Sequence, residues 1–283
     1  MAYCLIFPGQ GSQFPGMSRG LALDQGIPGD LCALMAEGPA DELDRTVNAQ
    51  PAVLGVSVAL WERSGFHAPA AVLGHSLGEY TALVASGCLS PGEAVGLVKK
   101  RAEFMDASRP RGKGGMAAVI GLGLREVEET IAQVPDLWIA NLNGPSQVVV
   151  SGNRESIDEA TPLLRDRGAR RVVPLKVSVA SHCPYMAQAR EDLGAYLATV
   201  ELKEPCCPIV PNASARPETD PGRIRGLLAD QLVQPVRFEE SVRAALAMGI
   251  DEFVEIGPRS VLAPLVKRIV PEARMEVITN DGH

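Results

Sequence analysis

Gly74-His75-Ser76-Leu77-Gly78 is the stretch of this sequence best suited to chemistry. The apolar run Ala70-Ala71-Val72-Leu73 before it reads as a buried strand. The residues after it, Glu79 to Gly87, read as a helix stopped by glycine. A serine between two glycines at a strand-to-helix turn is the setting of a nucleophile elbow. The turn lifts the hydroxyl above the sheet edge, and the glycines let strand and helix approach closely. The free N–H groups at the helix start favour any negative charge that develops there.

Such a serine needs a base, and the sequence has only His67, His75, His182 and His283. His283 is terminal, and His67 lies in a polar turn. His75 adjoins the serine, so an elbow points its side chain elsewhere. His182 follows a strand, in the small and polar segment Ser178-Val179-Ala180-Ser181-His182-Cys183, and is the best candidate. A second feature is Pro8-Gly9-Gln10-Gly11-Ser12-Gln13, a glycine-rich loop after the strand-like Tyr3 to Phe7. It fails as a dinucleotide fingerprint because Phe14 occupies the third glycine position. It remains either a plain turn or a loop whose N–H groups face a ligand. Arg101 closes the cluster Lys99-Lys100-Arg101 on a helix that starts near Pro91; taken alone, such a cluster reads as a solvated face.

The elements that must hold these residues alternate. The helical stretch 17 to 66 includes Pro51 to Trp61, apolar nearly all round and so buried. Arg109 to Gly115 reads as a linker. Beyond it come a strand (116–122), a helix (124–134), two strands (137–142 and 147–151), a helix (155–167) and a strand (169–177). That order is a ferredoxin-like split βαβ unit. Pro162 predicts a kink or a late start in its second helix. The rest alternates again: a helix to about Val200, a short strand at 208–212, helices at 224–232 and 238–248, a strand at 252–256 and a last helix at 261–269. The expected fold class is α/β. A hydrolase-like core with a mostly parallel sheet spans 1–114 and 178–283, and a ferredoxin-like small subdomain is inserted at 115–177.

Composition narrows the function classes. With 283 residues, 46% hydrophobic and 22% charged, the chain is of ordinary globular type. A formal net charge of -7 and 4% aromatics argue against a nucleic-acid partner. The six cysteines show no metal-like spacing, which implies neither metal nor disulfide framework. There is no membrane-length apolar run and no signal-peptide pattern, so no membrane partner and a reduced cytoplasmic setting are expected. The serine-acid-histidine order of α/β-hydrolases fits poorly, because no acid strand stands between Ser76 and His182. A carbonyl could orient the histidine instead.

Taken together, Phe7-Pro8-Gly9-Gln10-Gly11-Ser12-Gln13, Gly74-His75-Ser76-Leu77-Gly78-Glu79-Tyr80, Arg101, Asn141-Leu142-Asn143-Gly144-Pro145, Val179-Ala180-Ser181-His182, Gln231-Leu232 and Glu255-Ile256-Gly257-Pro258 resemble malonyl-CoA:acyl carrier protein transacylases. The likeness covers almost the whole chain, in order and at similar spacings. It implies ping-pong acyl transfer through a malonyl-serine ester, with malonyl-CoA as substrate, an acyl carrier protein as partner and no cofactor. Ser76 would be the nucleophile, His182 the base and acid, and the Gln231 side-chain carbonyl the group holding the histidine. Backbone N–H groups of Gln10 and Leu77 would form the oxyanion hole. Arg101 would clamp the malonyl carboxylate, with His75, Asn141 and Asn143 binding substrate. A guanidinium suits that task because its planar fork pairs a carboxylate bidentately.

The chain is shorter than typical relatives between Gly16 and Gln50, by about one helix. Its Val-Ala-Ser-His ending has the small residue often found in methylmalonyl enzymes, whereas Leu77 favours malonyl. The alternatives of like chemistry are a discrete polyketide acyltransferase using malonyl- or methylmalonyl-CoA and the transferase subunit of malonate decarboxylase. A serine thioesterase or esterase would leave Arg101 without a purpose, and a non-enzymatic subunit would leave all three groups without one.

Overall fold

A computed structural model describes residues 2–23, 26–108, 113–177 and 179–281. Arg109 to Gly112 of the expected linker, Ser178 at the return to the main body, and His283 lie outside the described residues. The fold is α/β, with one parallel sheet and a separate antiparallel sheet.

The parallel sheet takes β1 (Tyr3–Phe7), β2 (Ala71–Gly74), β7 (Glu252–Ile256) and β8 (Arg274–Ile278), in the order β2-β1-β7-β8. Strands covered on both faces read as unbroken apolar runs, and Cys4 to Phe7 are completely buried. Alternate residues serve opposite faces. Leu5, Phe7, Val72 and Val254 join one core, while Cys4, Ile6, Leu73 and Phe253 join the other.

The first core holds α1 (Gly29–Glu37), α2 (Ala40–Leu43), α3 (Thr46–Ser64), α4 (Gly78–Ala85) and α5 (Pro91–Ala107). Helix α3 begins five residues before Pro51, is buried from Ala49 to Leu60, and stops at the left-handed Gly65. Helix α5 opens on a capping box between Ser90 and Glu93, with Pro91 at its first position.

The antiparallel sheet is built from β3 (Gly114–Ile120), β4 (Leu137–Gly144), β5 (Gln147–Asn153) and β6 (Arg171–Pro174), in the order β4-β5-β3-β6. Helices α6 (Leu124–Ile131) and α7 (Arg154–Asp166) supply Val127, Ile131, Ile157 and Leu164 to its core. Helix α7 starts at Arg154 and runs through Pro162, so the expected late start does not occur. Strand β4 is tied to the main body: Leu142 N–H donates to Val236 O, and Val236 N–H donates to Ala140 O, both at 2.8 Å.

The chain then forms α8 (Ala187–Leu197), α9 (Pro221–Asp230), α10 (Phe238–Ala247) and α11 (Ala263–Ile269). The strand expected at 208–212 is reduced to isolated bridges of Ile209 with Val72 and with Glu218. Strand β8 went unread in the sequence. Buried Glu255, at the end of β7, accepts from the N–H groups of Val261, Leu262 and Ala263 at 2.6–2.8 Å. One carboxylate thereby satisfies the free donors that open α11. Among the described residues, no helix is long and apolar enough to cross a membrane.

Strand-to-helix contact at the elbow is tight. A Cβ on Gly74 would fall 1.9 Å from the Gly78 carbonyl carbon, and a Cβ on Gly78 would fall 2.0 Å from Phe7 O. We expect Gly78→Ala to lower Tm by several degrees. Overpacking of about 1–3 kcal/mol moves Tm by roughly 2–4 °C per kcal/mol in a chain of this size. Thermal denaturation checks this, and an unshifted Tm would contradict the close approach.

Candidate active site

Ser76 sits between β2 and α4 with φ 53°, in the left-handed region that a side chain rarely adopts. His182 is likewise left-handed, at φ 60°. Each such residue costs on the order of 1–3 kcal/mol and persists only where its surroundings over-determine it. At Ser76 that task falls to Asn212. Its Oδ1 accepts from Ser76 N–H at 2.6 Å, and its Nδ2 donates to Gly74 O at 2.6 Å. Asn212 is completely buried and carried no signal in the sequence beyond the end of a short apolar run.

Ser76 Oγ lies 2.8 Å from His182 Nε2. On the other side of the ring, Nδ1–H donates to the main-chain carbonyl of Gln231 at 2.7 Å. That bond fixes the tautomer and leaves Nε2 free to take the serine proton. The expectation for Gln231 is corrected here. Its backbone oxygen holds the histidine, while its side chain does something else: Nε2 donates to Glu79 Oε2 at 2.8 Å and Oε1 accepts from Arg101 at 2.9 Å. The chain leaving α9 brings the 231 carbonyl to the ring, so no side chain is needed there.

Arg101 is 1% exposed and is not a solvated residue. Its Nη1 donates to Gln50 Oε1 at 2.6 Å, and its Nη2 donates to Gln231 Oε1 and, at 3.3 Å, to Ser76 Oγ. The guanidinium lies 5.3 Å from the centre of the Tyr80 ring. Among the described residues, no carboxylate pairs with it and its Nε has no partner. Burying an unpaired charge costs several kcal/mol. The group therefore has unspent capacity for an anion. Gln50, just before the apolar run Pro51 to Trp61, is a further member of this site that the sequence did not mark.

Burial drives the electrostatics. It lowers His182 to about 3, and the positive charge of Arg101 pushes in the same direction. Burial also lowers His75 and Arg101 and pushes Glu79 up to about 7. His182 is therefore a neutral base across physiological pH.

His75, Ser76, Arg101 and His182 line one cavity of about 290 Å³, at the lower bound of ligand sites, which start at roughly 300 Å³. The apolar residues that line it together with them include Met116, Val149 and Val179. Gln10 and Leu77 line it too, and neither backbone N–H meets an acceptor among the described residues. The loop reaches the elbow because Gly9 lacks a side chain: a Cβ there would lie 2.4 Å from His75 O. Gln10 is anchored sideways, with Nε2 donating to Asp44 O and Oε1 accepting from Thr46 Oγ1. His75 faces the small sheet, where its Nε2–H donates to Asn143 Oδ1 at 2.8 Å and Asn141 Nδ2 lies 3.2 Å away. All nine expected site residues are thus brought together, and none is stranded elsewhere. No cluster of metal-ligand type occurs among the described residues. The arrangement can activate a hydroxyl, stabilise an oxyanion and hold a carboxylate.

Residues 29–280 match the acyl transferase domain family. A malonyl CoA-acyl carrier protein transacylase of Bacillus subtilis is 41% identical over 283 residues, covering 93% of this chain and 89% of that protein. The chain belongs to the malonyl CoA-acyl carrier protein transacylase family. Among solved members, the acyl-carrier-protein S-malonyltransferase of Burkholderia pseudomallei superposes with a TM-score of 0.94, at 37% identity over 98% of this chain and 96% of that one. A malonyl-transacylase in complex with a type II polyketide synthase acyl-carrier protein superposes at 0.93, with 36% identity over 99% and 96% of the two chains.

The His182 environment yields a direct expectation. Its ring stays neutral, with the proton on Nδ1, between roughly pH 5 and 8. Nitrogen-15 NMR of the imidazole checks this; a titration midpoint near the ordinary value of 6.5 would contradict the depression by burial.

Proposed function

We propose that this protein transfers a malonyl group from coenzyme A to the phosphopantetheine thiol of an acyl carrier protein, in two half-reactions through a malonyl ester of Ser76. The observation that carries the reading is the buried guanidinium of Arg101, which faces the Ser76 hydroxyl and has no carboxylate partner among the described residues. An acetyl transferase, or an esterase acting on uncharged acyl groups, has no use for that charge. A malonyl group supplies the missing carboxylate while its thioester carbon reaches Ser76.

In the first half-reaction His182 Nε2 takes the hydroxyl proton as Ser76 Oγ attacks the thioester carbonyl. The developing oxyanion is received by the N–H groups of Gln10 and Leu77. The C–S bond breaks, and the coenzyme A thiolate leaves with the proton from His182. In the second half-reaction the carrier thiol gives its proton to His182 and attacks the ester, and Ser76 recovers its proton as it leaves. His75, Asn141 and Asn143 form the polar end of the acyl site. No cofactor takes part, malonyl-CoA being a substrate, and the setting is cytoplasmic.

We assign residues 1–114 and 178–283 to a hydrolase-like large subdomain and 115–177 to a ferredoxin-like small one. The βαββαβ order and the antiparallel pairing β4-β5-β3-β6 support that assignment. An acidic carrier needs a positive surface beside the cavity. Exposed Arg170, Arg171 and Arg268 border a common cleft, and Gln147 lines both that cleft and the catalytic cavity. Lys176 is exposed nearby in sequence, whereas Lys100 is paired with Glu103.

Intact-mass measurement after exposure to malonyl-CoA tests the reading. We expect a malonyl adduct on the wild type and none on Ser76→Ala; rapid release of free malonate instead would identify a hydrolase. Arg101→Ala should slow malonyl acylation roughly 30-fold to several thousand-fold, the effect of about 2–5 kcal/mol, and spare acetyl acylation. An unchanged malonyl-to-acetyl ratio would remove Arg101 as the clamp.

Reversing the charges of Arg170, Arg171 and Arg268 should raise KM for the carrier but not for malonyl-CoA, most strongly at low salt. Steady-state kinetics across ionic strength check this, and unchanged carrier KM at low salt would place docking elsewhere.

A further inference from the structure

Glu79 stands on the first turn of α4, is completely buried, and has no part in the chemistry above. Its Oε2 accepts two hydrogen bonds, from Asn212 N–H at 2.9 Å and from Gln231 Nε2 at 2.8 Å. Its Oε1 has no partner among the described residues. Each donor belongs to a residue that reaches the reacting centre. Asn212 holds the Ser76 N–H, and Gln231 Oε1 accepts from Arg101 Nη2.

A primary amide has a donor end and an acceptor end. Gln231 can turn its oxygen to Arg101 only if its nitrogen finds acceptors on the far side. Flipped, it would set an NH₂ group against a guanidinium that has donors alone. The far side is furnished by Glu79 Oε2 and, at 3.1 Å, by Ser76 O.

We propose that Glu79 is a positioning residue for malonyl recognition: as a buried hydrogen-bond acceptor it fixes the Gln231 amide, which in turn holds Arg101 toward the acyl carboxylate. The inference rests on the acyl-transfer reading above. It requires an acceptor at position 79 rather than a charge. Either protonation state of the carboxyl keeps an oxygen able to accept.

The test is the ratio of Ser76 acylation rates with malonyl-CoA and acetyl-CoA, measured on the full chain. Glu79→Met keeps the bulk and removes the acceptor. The ratio should fall by about tenfold or more, the scale set by stranding buried donors. Glu79→Gln keeps an oxygen acceptor and should restore the ratio to within about threefold of wild type. General loosening of the fold would slow both donors together and leave the ratio alone. A wild-type ratio in folded Glu79→Met overturns the proposal, as does a Glu79→Gln ratio as low as that of Glu79→Met. Should Glu79→Met not fold, Gln231→Met removes the middle of the relay and must lower the ratio in the same way; a wild-type ratio there also overturns it. Wild-type acylation by malonyl-CoA is the control: its failure sinks the acyl-transfer reading itself, whereas normal acylation with an unmoved ratio sinks only the role of Glu79.

Discussion

A positive charge is buried behind the Ser76 hydroxyl with no carboxylate paired directly to it among the described residues; Glu79 acts on it only through space and through the Gln231 amide. Holding Arg101 there is costly, and the surrounding structure is arranged around that cost. Two amide carbonyls, from Gln50 on α3 and Gln231 at the end of α9, take its outer N–H groups, and the face of Tyr80 lies against it. Those partners come from three separate parts of the chain, so the guanidinium also ties the helical layer to the elbow. The same charge depresses the basicity of His182. Burial remains the larger cause of that depression, and the Arg101 charge adds to it.

The second constraint is steric. Strand β2, helix α4 and the end of β1 approach so closely that no side chain fits at Gly74 or Gly78. The strained Ser76 backbone is the product of that approach, and Asn212 keeps it from relaxing. Asn212 is itself held by Glu79, so the elbow and the Arg101 network share an anchor.

Much of this was legible in the sequence. The elbow could be read because its glycines, its strand and its helix lie within one short stretch. His182 could be reached by elimination, since few histidines exist. Arg101 hid behind Lys99 and Lys100, yet Leu97, Arg101 and Met105 recur at a spacing of four residues on the buried face of α5. An arginine in an apolar stripe is the sign that the cluster is not uniformly solvated. Strand β8 alternates charged and apolar residues from Arg274 to Val277, but it is a short edge strand with no residue fully buried, so its pattern is too brief to stand out. Helix α7 tolerates Pro162 against propensity, because Ile157 and Leu164 anchor it on the small sheet. The Gln231 error has a different origin. Sequence displays side chains, and the histidine's partner is a peptide carbonyl, whose direction depends only on how the chain leaves α9.

That last feature bears on how such a site can be lost. Where an aspartate orients a catalytic histidine, a single codon change deletes the acceptor. At residue 231 every amino acid carries the same peptide oxygen. The acceptor for the histidine is therefore inherited through the path of the backbone, and it is lost when the chain between α9 and α10 is redirected rather than when the side chain at 231 is replaced. Substitution scanning at this position would report on Arg101 and remain blind to the hydrogen bond on which His182 depends.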